Sequence, residues 1–275
     1  MTAIAERTAP AGPGLGVRAR WAVTDTLTIT RRNLLVWMRV PAYLVFTVVQ
    51  PVIFVLMFRY VFGGAIRVVG VPGGYVNYLM PGIIAQTAAF ACFGTAIALA
   101  QELKKGVIDR LRSMPMARSA VLTGRLLADT LRMLVTILIV LAVGFAVGFR
   151  FSNGVIPAIA MVALAVLFGV AIACISAFTG LAIGDEESVQ AFGLIWIFPL
   201  TFLSSAFVQI STMPGWLQAF ANNQPVTYTV DAMRALALGH LPVWDSLWKS
   251  LAWLAAIFIV FIPLSVRAYK RASSR

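Results

Sequence analysis

The sequence predicts an all-α integral membrane protein, and its composition and apolar patterning carry that prediction. The chain of 275 residues is 60% hydrophobic and only 12% charged, whereas soluble domains are roughly 45–50% apolar. A single globular core of this size cannot bury that excess. The apolar residues also form long uninterrupted runs, unlike the short alternations of a half-exposed sheet. These runs are long enough to cross a bilayer.

The number of membrane spans follows from the charge-free runs, since a helix needs about 20 mostly apolar residues to cross the hydrocarbon core. The runs predict six transmembrane helices within residues 40–266: Val40–Phe58, Val68–Gln101, Met133–Phe149, Phe151–Gly184, Ser188–Val230 and Ser250–Val266. The fifth run is long enough for two spans. Its stretch Asn222–Thr229 is too polar for the hydrocarbon core unless protein covers it, so we predict one span there.

The distribution of basic residues predicts the orientation in the membrane. With the N-terminus inside, 17 of the 22 Lys and Arg residues fall on the inner side. This bias matches the positive-inside rule and predicts a multi-pass protein of the cell membrane with both termini cytoplasmic. The net charge of +12 therefore indicates contact with anionic membrane lipids, and we expect no nucleic acid partner.

The N-terminal arm divides into two parts. Residues 1–17 are rich in Pro, Gly and Ala and are predicted to be disordered. Residues 18–39 place four polar residues at intervals of seven, with apolar residues on the opposite face. That pattern predicts an amphipathic helix lying in the membrane interface, with a solvated helix as the alternative. Residues 267–275 are predicted to form a basic cytoplasmic tail.

The sequence lacks the common motifs of catalysis. It has no GxxxxGK[ST] loop, no HExxH and no GxSxG, and its one histidine is His240. Cys92 and Cys174 both lie inside apolar runs, which argues against a disulfide framework or a zinc site. Glu102, Asp129 and Arg132 are expected at the ends of spans. We therefore expect no enzymatic activity, metal or cofactor in this chain, and a partner must supply the energy for any transport.

A charged insert, Gln101–Asp129, interrupts the apolar pattern. As a helix, it places Lys105, Asp109 and Arg112 on one face and Val107, Leu111 and Met114 on the other. Pro115 disfavours helical geometry at the residue before it, so the helix is predicted near Lys104–Met114. Gly106 is unfavourable in a helix by about 1 kcal/mol relative to Ala, which indicates a bend or a close backbone contact. The alternative is an ordinary basic loop.

Part of this insert, Glu102–Arg118, resembles the signature of type-two ATP-binding-cassette (ABC) exporter permeases. The matching positions are Glu102, Gly106, Asp109, Leu111, Ser113, Pro115 and Arg118. The sequence departs from the family at Asp109, because the family more often has Glu one residue earlier. The departure weakens any role assigned to the Asp109 carboxylate.

A second stretch, Met213–Gly239, resembles the last extracellular loop of the same family. The matching positions are Pro214, Trp216, Pro225, Asp231, Arg234 and Gly239. This stretch is predicted to form two short re-entrant helices that dip into the outer leaflet, separated by a polar turn. Asp231 and Arg234 lie three residues apart, where opposite charges on a helix can meet.

The resemblance implies a permease subunit of an ATP-driven exporter, similar to the actinobacterial daunorubicin-resistance multidrug permeases. A second permease copy, most simply a homodimer, and two ABC ATPase subunits are implied as partners. ATP and Mg would be bound by the ATPase. The implied coupling residues are Glu102, Gly106, Val107, Asp109, Leu111, Pro115 and Arg118; those of the extracellular loop are Trp216, Pro225, Asp231, Arg234 and Gly239. The cargo is expected to be a hydrophobic or amphipathic drug or antibiotic.

Two other functions remain open from the sequence. An exporter of a lipid, glycolipid or polysaccharide belongs to the same superfamily. A passive channel or membrane scaffold has less support, because a channel is expected to place a polar or charged ring inside a span.

Overall fold

The computed structural model describes residues 15–39, 41–64, 68, 70–71, 73–107, 118–239 and 242–272. Its α-helices are α1 (Leu15–Arg39), α2 (Pro41–Met57), α3 (Gly74–Lys104), α4 (Arg118–Ala146), α5 (Val155–Ile183), α6 (Glu186–Phe202), α7 (Gly215–Ala221), α8 (Pro225–Leu238) and α9 (Val243–Ala272). Helix α2 continues into a π-helical turn, Phe58–Phe62, and a 3-10 turn covers Ile210–Thr212. The described ranges contain no β-strand, which confirms the all-α prediction for them.

Four segments of the described chain are long and apolar enough to cross a membrane. They are Gly74–Lys104, Leu122–Ala146, Val155–Ile183 and Val243–Arg271. Helices α2 and α6 have 17 residues each, at the lower end of the roughly 17–25 residues that span a bilayer. The multi-pass architecture is thus supported, and the count of six spans stays a prediction.

Helix α3 is the centre of the fold. Its residues from Tyr75 to Ala89 are all buried, because α4, α5, α6 and α8 surround it. Gly180 of α5 permits a close approach to the α3 backbone, since a Cβ atom there would lie 2.3 Å from the carbonyl oxygen of Ala96. The core around α3 is filled by large side chains, including the fully buried Met80 and Phe168.

Helices α5 and α6 are joined by a tight reversal at the acidic turn. Helix α5 ends at Gly184, which has a left-handed φ of 72°, the conformation that glycine adopts readily at helix C-termini. Asp185 then caps α6, and its Oδ2 accepts a hydrogen bond from the Ser188 N–H at 3.0 Å. This backbone hydrogen bond lowers the pKa of Asp185 below its usual value, because it stabilises the charged carboxylate.

Several helix boundaries differ from the prediction. Helix α6 ends at Phe202, so the run Ser188–Val230 is not one continuous helix. The remainder of that run forms a loop, α7 and the start of α8, and the turn between α7 and α8 covers residues 222–224. Two short helices are therefore confirmed in this region, whereas their entry into the outer leaflet stays a prediction. Helix α9 extends to Ala272, so much of the predicted tail is helical.

Helix α1 packs along α4 and begins at Leu15, three residues before the predicted start; residues 1–14 lie outside the described chain. Ile29 and Thr30 are buried against α4, where the Thr30 hydroxyl donates to the Gly124 carbonyl at 3.1 Å. Val23, Leu27 and Met38 of the same helix are exposed. Exposed apolar residues of this kind are expected on a helix that lies in the membrane interface. The assignment of α1 to the interface stays a prediction.

Candidate functional site

A chain of ion pairs joins three helices at the end of α3 that leads into the charged insert. Glu102 Oε1 accepts hydrogen bonds from Arg32 Nη2 of α1 at 2.8 Å and Arg125 Nη1 of α4 at 3.4 Å. Arg125 Nε then lies 3.2 Å from Asp129 Oδ2, and Arg132 Nη2 lies 3.1 Å from Asp129 Oδ1. We call these five residues the ionic cluster.

The ionic cluster is largely withdrawn from water. The Asp129 side chain is 5% exposed and that of Arg125 is 12% exposed. The buried Thr95 of α3 adds a hydroxyl donor to Asp129 Oδ2 at 2.6 Å. A buried charge is tolerated when it is paired and hydrogen-bonded, and removal of one partner typically costs about 3–5 kcal/mol. The cluster therefore holds α3 against α4, with α1 attached through Glu102.

Asp129 and Arg132 lie within α4, which begins at Arg118, well before the predicted start of the span at Met133. They also fall within Leu122–Ala146, the part of α4 that is long and apolar enough to cross a membrane. Their expected position at the end of a span stays a prediction. The sequence contained a signal for the α4 part of the ionic cluster, since Arg125, Asp129 and Arg132 recur at intervals of four and three and so share one helix face. Their partners on α1 and α3 follow only from the tertiary structure.

The insert itself is described only at its two ends. Lys104 belongs to the last turn of α3, and helical geometry resumes at Val107 after a turn. The predicted helix near Lys104–Met114 falls mostly outside the described residues and stays a prediction. Gly106 has a left-handed φ of +63°, and no described residue lies within 4 Å of a Cβ placed there. The structure therefore confirms the predicted bend at Gly106, and the alternative of a close backbone contact is not seen among the described residues. Asp109, Leu111 and Pro115 lie outside the described residues, and Arg118 is the first residue of α4.

Val107 follows the bend and already has a partner within the chain. It packs, together with Tyr269 of α9, against the buried Ile29 of α1. Val107 is half-buried as a result. The apolar face predicted for ATPase contact thus begins with a residue that also anchors the insert to α1.

A cavity of about 430 Å³ adjoins the ionic cluster. Its walls come from α1, α2, α3 and α4, and all five residues of the cluster line it. Aromatic side chains from three helices, Trp37, Phe54 and Phe90, also line it. The volume lies within the range of about 300–1,000 Å³ typical of small-molecule sites.

The second predicted site, on the outer loop, is built around the buried Arg234. Arg234 Nη1 lies 2.7 Å from Asp231 Oδ1, so the two residues do pair. Arg234 Nε donates to the Tyr78 carbonyl at 2.9 Å, and Nη2 donates to the carbonyls of Ser205 and Ala206. Its guanidinium lies 3.6 Å from the centre of the Tyr78 ring. Arg234 thus joins α8 to α3 and to the loop after α6.

Helix α3 contributes further contacts to that loop. The Tyr78 hydroxyl donates to the Ser205 carbonyl at 2.8 Å, and the Tyr75 hydroxyl donates to the Phe207 carbonyl at 3.3 Å. Gly82 allows the loop backbone to lie directly on α3, because a Cβ there would be 2.1 Å from the Ala206 carbonyl oxygen. Residues 205–207 are therefore held between α3 and α8.

The other predicted outer-loop residues have separate positions. Trp216 of α7 is 76% exposed, and Pro225 is the first residue of α8, where its missing N–H is of no consequence. Gly239 ends α8 with a φ of +69°. Asn153 covers this helix end, and its Nδ2 donates to the Leu236 carbonyl at 3.2 Å. These residues shape the loop and do not join the Arg234 contacts.

The described chain contains four helices that are long and apolar enough to cross a membrane. Glu102 of one of these helices and Asp129 of another are paired with arginines in the ionic cluster. This arrangement is that of a multi-pass α-helical membrane protein. The chain belongs to the ABC-2 type transporter family, whose model matches residues 24–238.

Relatives with assigned names are similar over most of their length. The daunorubicin resistance ABC transporter permease protein of Streptomyces coeruleorubidus is 33% identical over 249 residues, which cover 90% of this chain and 87% of the relative. The "Probable doxorubicin resistance ABC transporter permease protein" of Mycobacterium tuberculosis is 34% identical over 263 residues, covering 95% of this chain and 94% of the relative. A further doxorubicin resistance permease of M. tuberculosis is 28% identical over 232 residues. These residues cover 80% of this chain and 79% of the relative.

Proposed function

We propose that this chain is the transmembrane permease subunit of an ATP-driven exporter that moves a hydrophobic or amphipathic drug or antibiotic out of the cell. The observation that carries the proposal is the similarity to two permeases named for daunorubicin and doxorubicin resistance, at 33% and 34% identity over 90% and 95% of this chain. The mixed aromatic and charged lining of the cavity supports a cargo of that chemistry.

The energy for export comes, in this proposal, from a separate ABC ATPase that binds ATP and Mg. Two ATPase copies act on two permease copies, most simply a homodimer embedded in membrane lipids. The insert between α3 and α4 is the docking element, with Gly106, Val107, Asp109, Leu111, Pro115 and Arg118 contributing to it. Its position supports this role, because displacement of the insert acts directly on the adjoining ends of α3 and α4.

The ionic cluster is proposed to transmit that displacement. Glu102 lies in the last turn of α3, within the insert, and contacts Arg32 of α1 and Arg125 of α4. A shift of the insert therefore moves α1, α3 and α4 together. Because charge-assisted hydrogen bonds are directional and stronger than neutral ones, these helices are expected to move as a unit.

The orientation is part of the same proposal. Both termini and the insert are cytoplasmic, and α7 and α8 form the outer loop and enter the outer leaflet as re-entrant helices. The basic residues concentrated on one side support this orientation through the positive-inside rule. The exposed Trp216 on α7 supports contact with lipid headgroups, where Trp is enriched.

Transport into inverted membrane vesicles tests the proposal. The permease is co-expressed with its ABC ATPase, and daunorubicin accumulation is followed with and without ATP. We expect ATP-dependent accumulation that disappears when the ATPase P-loop lysine is replaced by alanine. Accumulation unaffected by that replacement indicates a passive path and contradicts the proposal. ATP-dependent movement of a labelled glycolipid with no movement of daunorubicin supports a lipid exporter instead.

A further inference from the structure

A groove separate from the cavity at the ionic cluster lies between α4 and α5. Its volume is about 850 Å³. On α5 the residues that line it recur at intervals of three and four from Gly154 to Val170, and on α4 they include Leu134 and Leu138. Such spacing keeps to one face of each helix. We call this feature the α4–α5 groove.

The lining of the α4–α5 groove is apolar throughout. It consists of Val, Leu, Ile, Ala and Gly together with one aromatic residue, Phe151. Leu138 of α4 and Ile159 of α5 are both exposed, so the groove is open along its side. Both helices supply segments that are long and apolar enough to cross a membrane. In a bilayer, the open side therefore meets lipid or an equally apolar partner.

The length of the groove suits a lipid acyl chain. From Gly154 to Val170 it extends about 24 Å along α5, at 1.5 Å per residue. One leaflet of the hydrocarbon core is about 15 Å thick, half of the whole core. Two alanines on this face, Ala158 and Ala163, leave space among larger neighbours. Because an unfilled apolar space loses dispersion contacts on its lining, the groove favours an occupant over the full depth of one leaflet.

Arg150 lies at the end of the groove where α4 leads into α5. Its Nη1 donates to the carbonyls of Phe145 and Phe149, each at 2.7 Å. Phe145 follows Leu138 by seven residues and therefore lies on the same face of α4. Phe151, the residue after Arg150, lines the groove. The two hydrogen bonds thus hold the guanidinium beside the end of the groove.

The positive charge of Arg150 is available to a ligand. No ion pair among the described residues includes Arg150, and its side chain is exposed. It lies between the candidate spans Leu122–Ala146 and Val155–Ile183, which places it at the level of the lipid headgroups. Guanidinium groups bind phosphate oxygens through charge-assisted hydrogen bonds. An anionic headgroup therefore complements this end of the groove.

We propose that the α4–α5 groove binds one phospholipid with an anionic headgroup. An acyl chain lies along α5 between Gly154 and Val170, and the phosphate binds Arg150. The bound lipid steadies the connection between α4 and α5, whose Ser152 N–H donates to the Ala237 carbonyl of α8 at 3.0 Å. The site is additional to the proposed export of a drug and does not depend on it.

Photolabelling of the full chain in phosphatidylcholine nanodiscs tests the proposal. The probe is a phosphatidylglycerol with a diazirine in the middle of one acyl chain, and labelled peptides are mapped by mass spectrometry. We expect saturable labelling concentrated on residues 154–170 and 134–138. A phosphatidylcholine probe with the same acyl chains should label these residues about fivefold less, since one basic residue near the surface contributes that much to binding of anionic lipid.

The exposed apolar side chains of α9 provide the comparison within the same molecule. Ile259, Val260 and Ile262 are exposed and do not line the α4–α5 groove, so they report contact with bulk lipid. Labelling of these residues should be weak and equal for the two probes. Labelling that is as strong on α9 as in the groove, or equal for the two probes in the groove, overturns the proposal.

Substitutions of Arg150 test the headgroup contact. Arg150→Gln should abolish the fivefold preference for the phosphatidylglycerol probe, and Arg150→Lys, which keeps the charge, should retain most of it. The control is Arg59→Gln, which removes one positive charge from an exposed residue outside the groove and should keep the preference. A preference that survives in Arg150→Gln, or one that falls equally in Arg59→Gln, overturns the assignment of the headgroup to Arg150.

Occlusion of the groove tests the acyl-chain contact. Ala163→Phe adds a large side chain at an exposed position in the middle of the groove and should lower labelling by both probes at least fivefold relative to α9. Ala182→Phe adds the same bulk at an exposed position of α5 outside the groove and should label as the unaltered protein does. Saturable labelling of the groove retained in Ala163→Phe overturns the proposal.

Two other occupants give distinct outcomes. If a second copy of the chain covers the groove, the probes do not label it, and Ala163→Cys forms a disulfide with the same residue of that copy on oxidation. If the groove takes the exported drug, excess daunorubicin displaces the phosphatidylglycerol probe. Either result overturns the phospholipid proposal. A protein that retains groove labelling but shows no ATP-dependent export contradicts the exporter function alone.

Discussion

Arg234 and Asp231 form an ion pair of 2.7 Å in which the arginine side chain is 3% exposed and the aspartate 32% exposed. The unequal burial shows that pairing with Asp231 is only part of the role of Arg234. Its other N–H groups bond backbone carbonyls of α3 and of the loop after α6, including those of Tyr78 and Ala206. Those bonds need a planar cation with several donors at position 234.

Replacement of Arg234 by Leu is expected to lower the free energy of unfolding by about 3–5 kcal/mol, as for the loss of one member of a buried ion pair. The bonded carbonyls then lose their donor, and Asp231 loses its counter-charge. Thermal unfolding in detergent, followed by tryptophan fluorescence, measures the loss. Lys249→Ala is the control, since its pair with Asp245 is more exposed and should contribute less than about 1 kcal/mol.

Exchange of the two charges is expected not to restore the fold. A carboxylate at position 234 faces carbonyl oxygens and cannot donate to them, so Asp231→Arg combined with Arg234→Asp should be no more stable than Arg234→Leu. Recovery of the original thermal midpoint in the double variant contradicts the carbonyl-bonding role of Arg234.

Thr95→Val is expected to destabilise the protein by about 1.5–3 kcal/mol, the contribution of a hydrogen bond to a charged group. The hydroxyl of Thr95 joins α3 to Asp129 of α4, and valine keeps the shape without the donor. The matched control is Thr130→Val, because the Thr130 hydroxyl donates within α4 to the Leu126 carbonyl and joins no second helix. Similar thermal midpoints for the two variants contradict the role of Thr95 in fastening α3 to α4.

Glu102→Gln is expected to impair coupling more than folding. The neutral amide cannot form ion pairs with Arg32 and Arg125, so α1 and α4 are less firmly attached to α3. With a charge-assisted bond weakened, transport per ATP hydrolysed should fall about tenfold. Glu187→Gln, a change at an exposed residue in the first turn of α6, should leave this ratio unchanged. If Glu102→Gln transports as much drug per ATP hydrolysed as the wild type, Glu102 has no role in coupling.

Leu111→Asp is expected to uncouple the permease from its ATPase, because it places a charge on the apolar face of the insert where the partner is proposed to bind. Co-purification of the ATPase and drug-stimulated ATP hydrolysis should both be lost in a variant that still inserts into the membrane. Ser113→Asp adds the same charge off that face and serves as the control. If Leu111→Asp retains wild-type co-purification and ATP hydrolysis, the insert does not bind the ATPase. Its basic residues then serve only to set the membrane topology.

Single-cysteine labelling checks the orientation. Ser113→Cys and Ser273→Cys should react only after the membrane is opened, and Gly64→Cys and Gln218→Cys should react in intact cells. Gly64 is suitable because nothing lies within 4 Å of a Cβ placed there. The native thiols, Cys92 and Cys174, are buried, which keeps their background reaction low. Reaction of Ser113→Cys in intact cells contradicts the cytoplasmic insert.

The sequence predicted what depends on local periodicity. The apolar runs indicated most of the long helices, and the conformational preference of Gly106 indicated the bend at the end of α3. The i,i+3 spacing of Asp231 and Arg234 indicated their pairing. These features require only neighbours along the chain.

Contacts between residues far apart in the sequence could not be predicted from local patterns. Arg234 and Tyr78 are 156 residues apart, and no sequence pattern places the guanidinium on that carbonyl. The depth of Asp129 was missed for a similar reason, because its burial depends on Thr95 of α3 and on the early start of α4. The cavity beside the ionic cluster is lined by residues of four helices. The sequence of any one of these helices is therefore not enough to predict it.

Helix α3 is anchored at both ends, and this has a mechanical consequence. Its 31 residues form a rod of about 46 Å, tied through Glu102 at one end and through the contacts of Tyr78 near the other. A tilt of roughly five degrees about one end displaces the other end by about 4 Å over that length. Under the proposed coupling, a displacement near the insert is expected to reach the loop after α6 as a tilt of α3 itself.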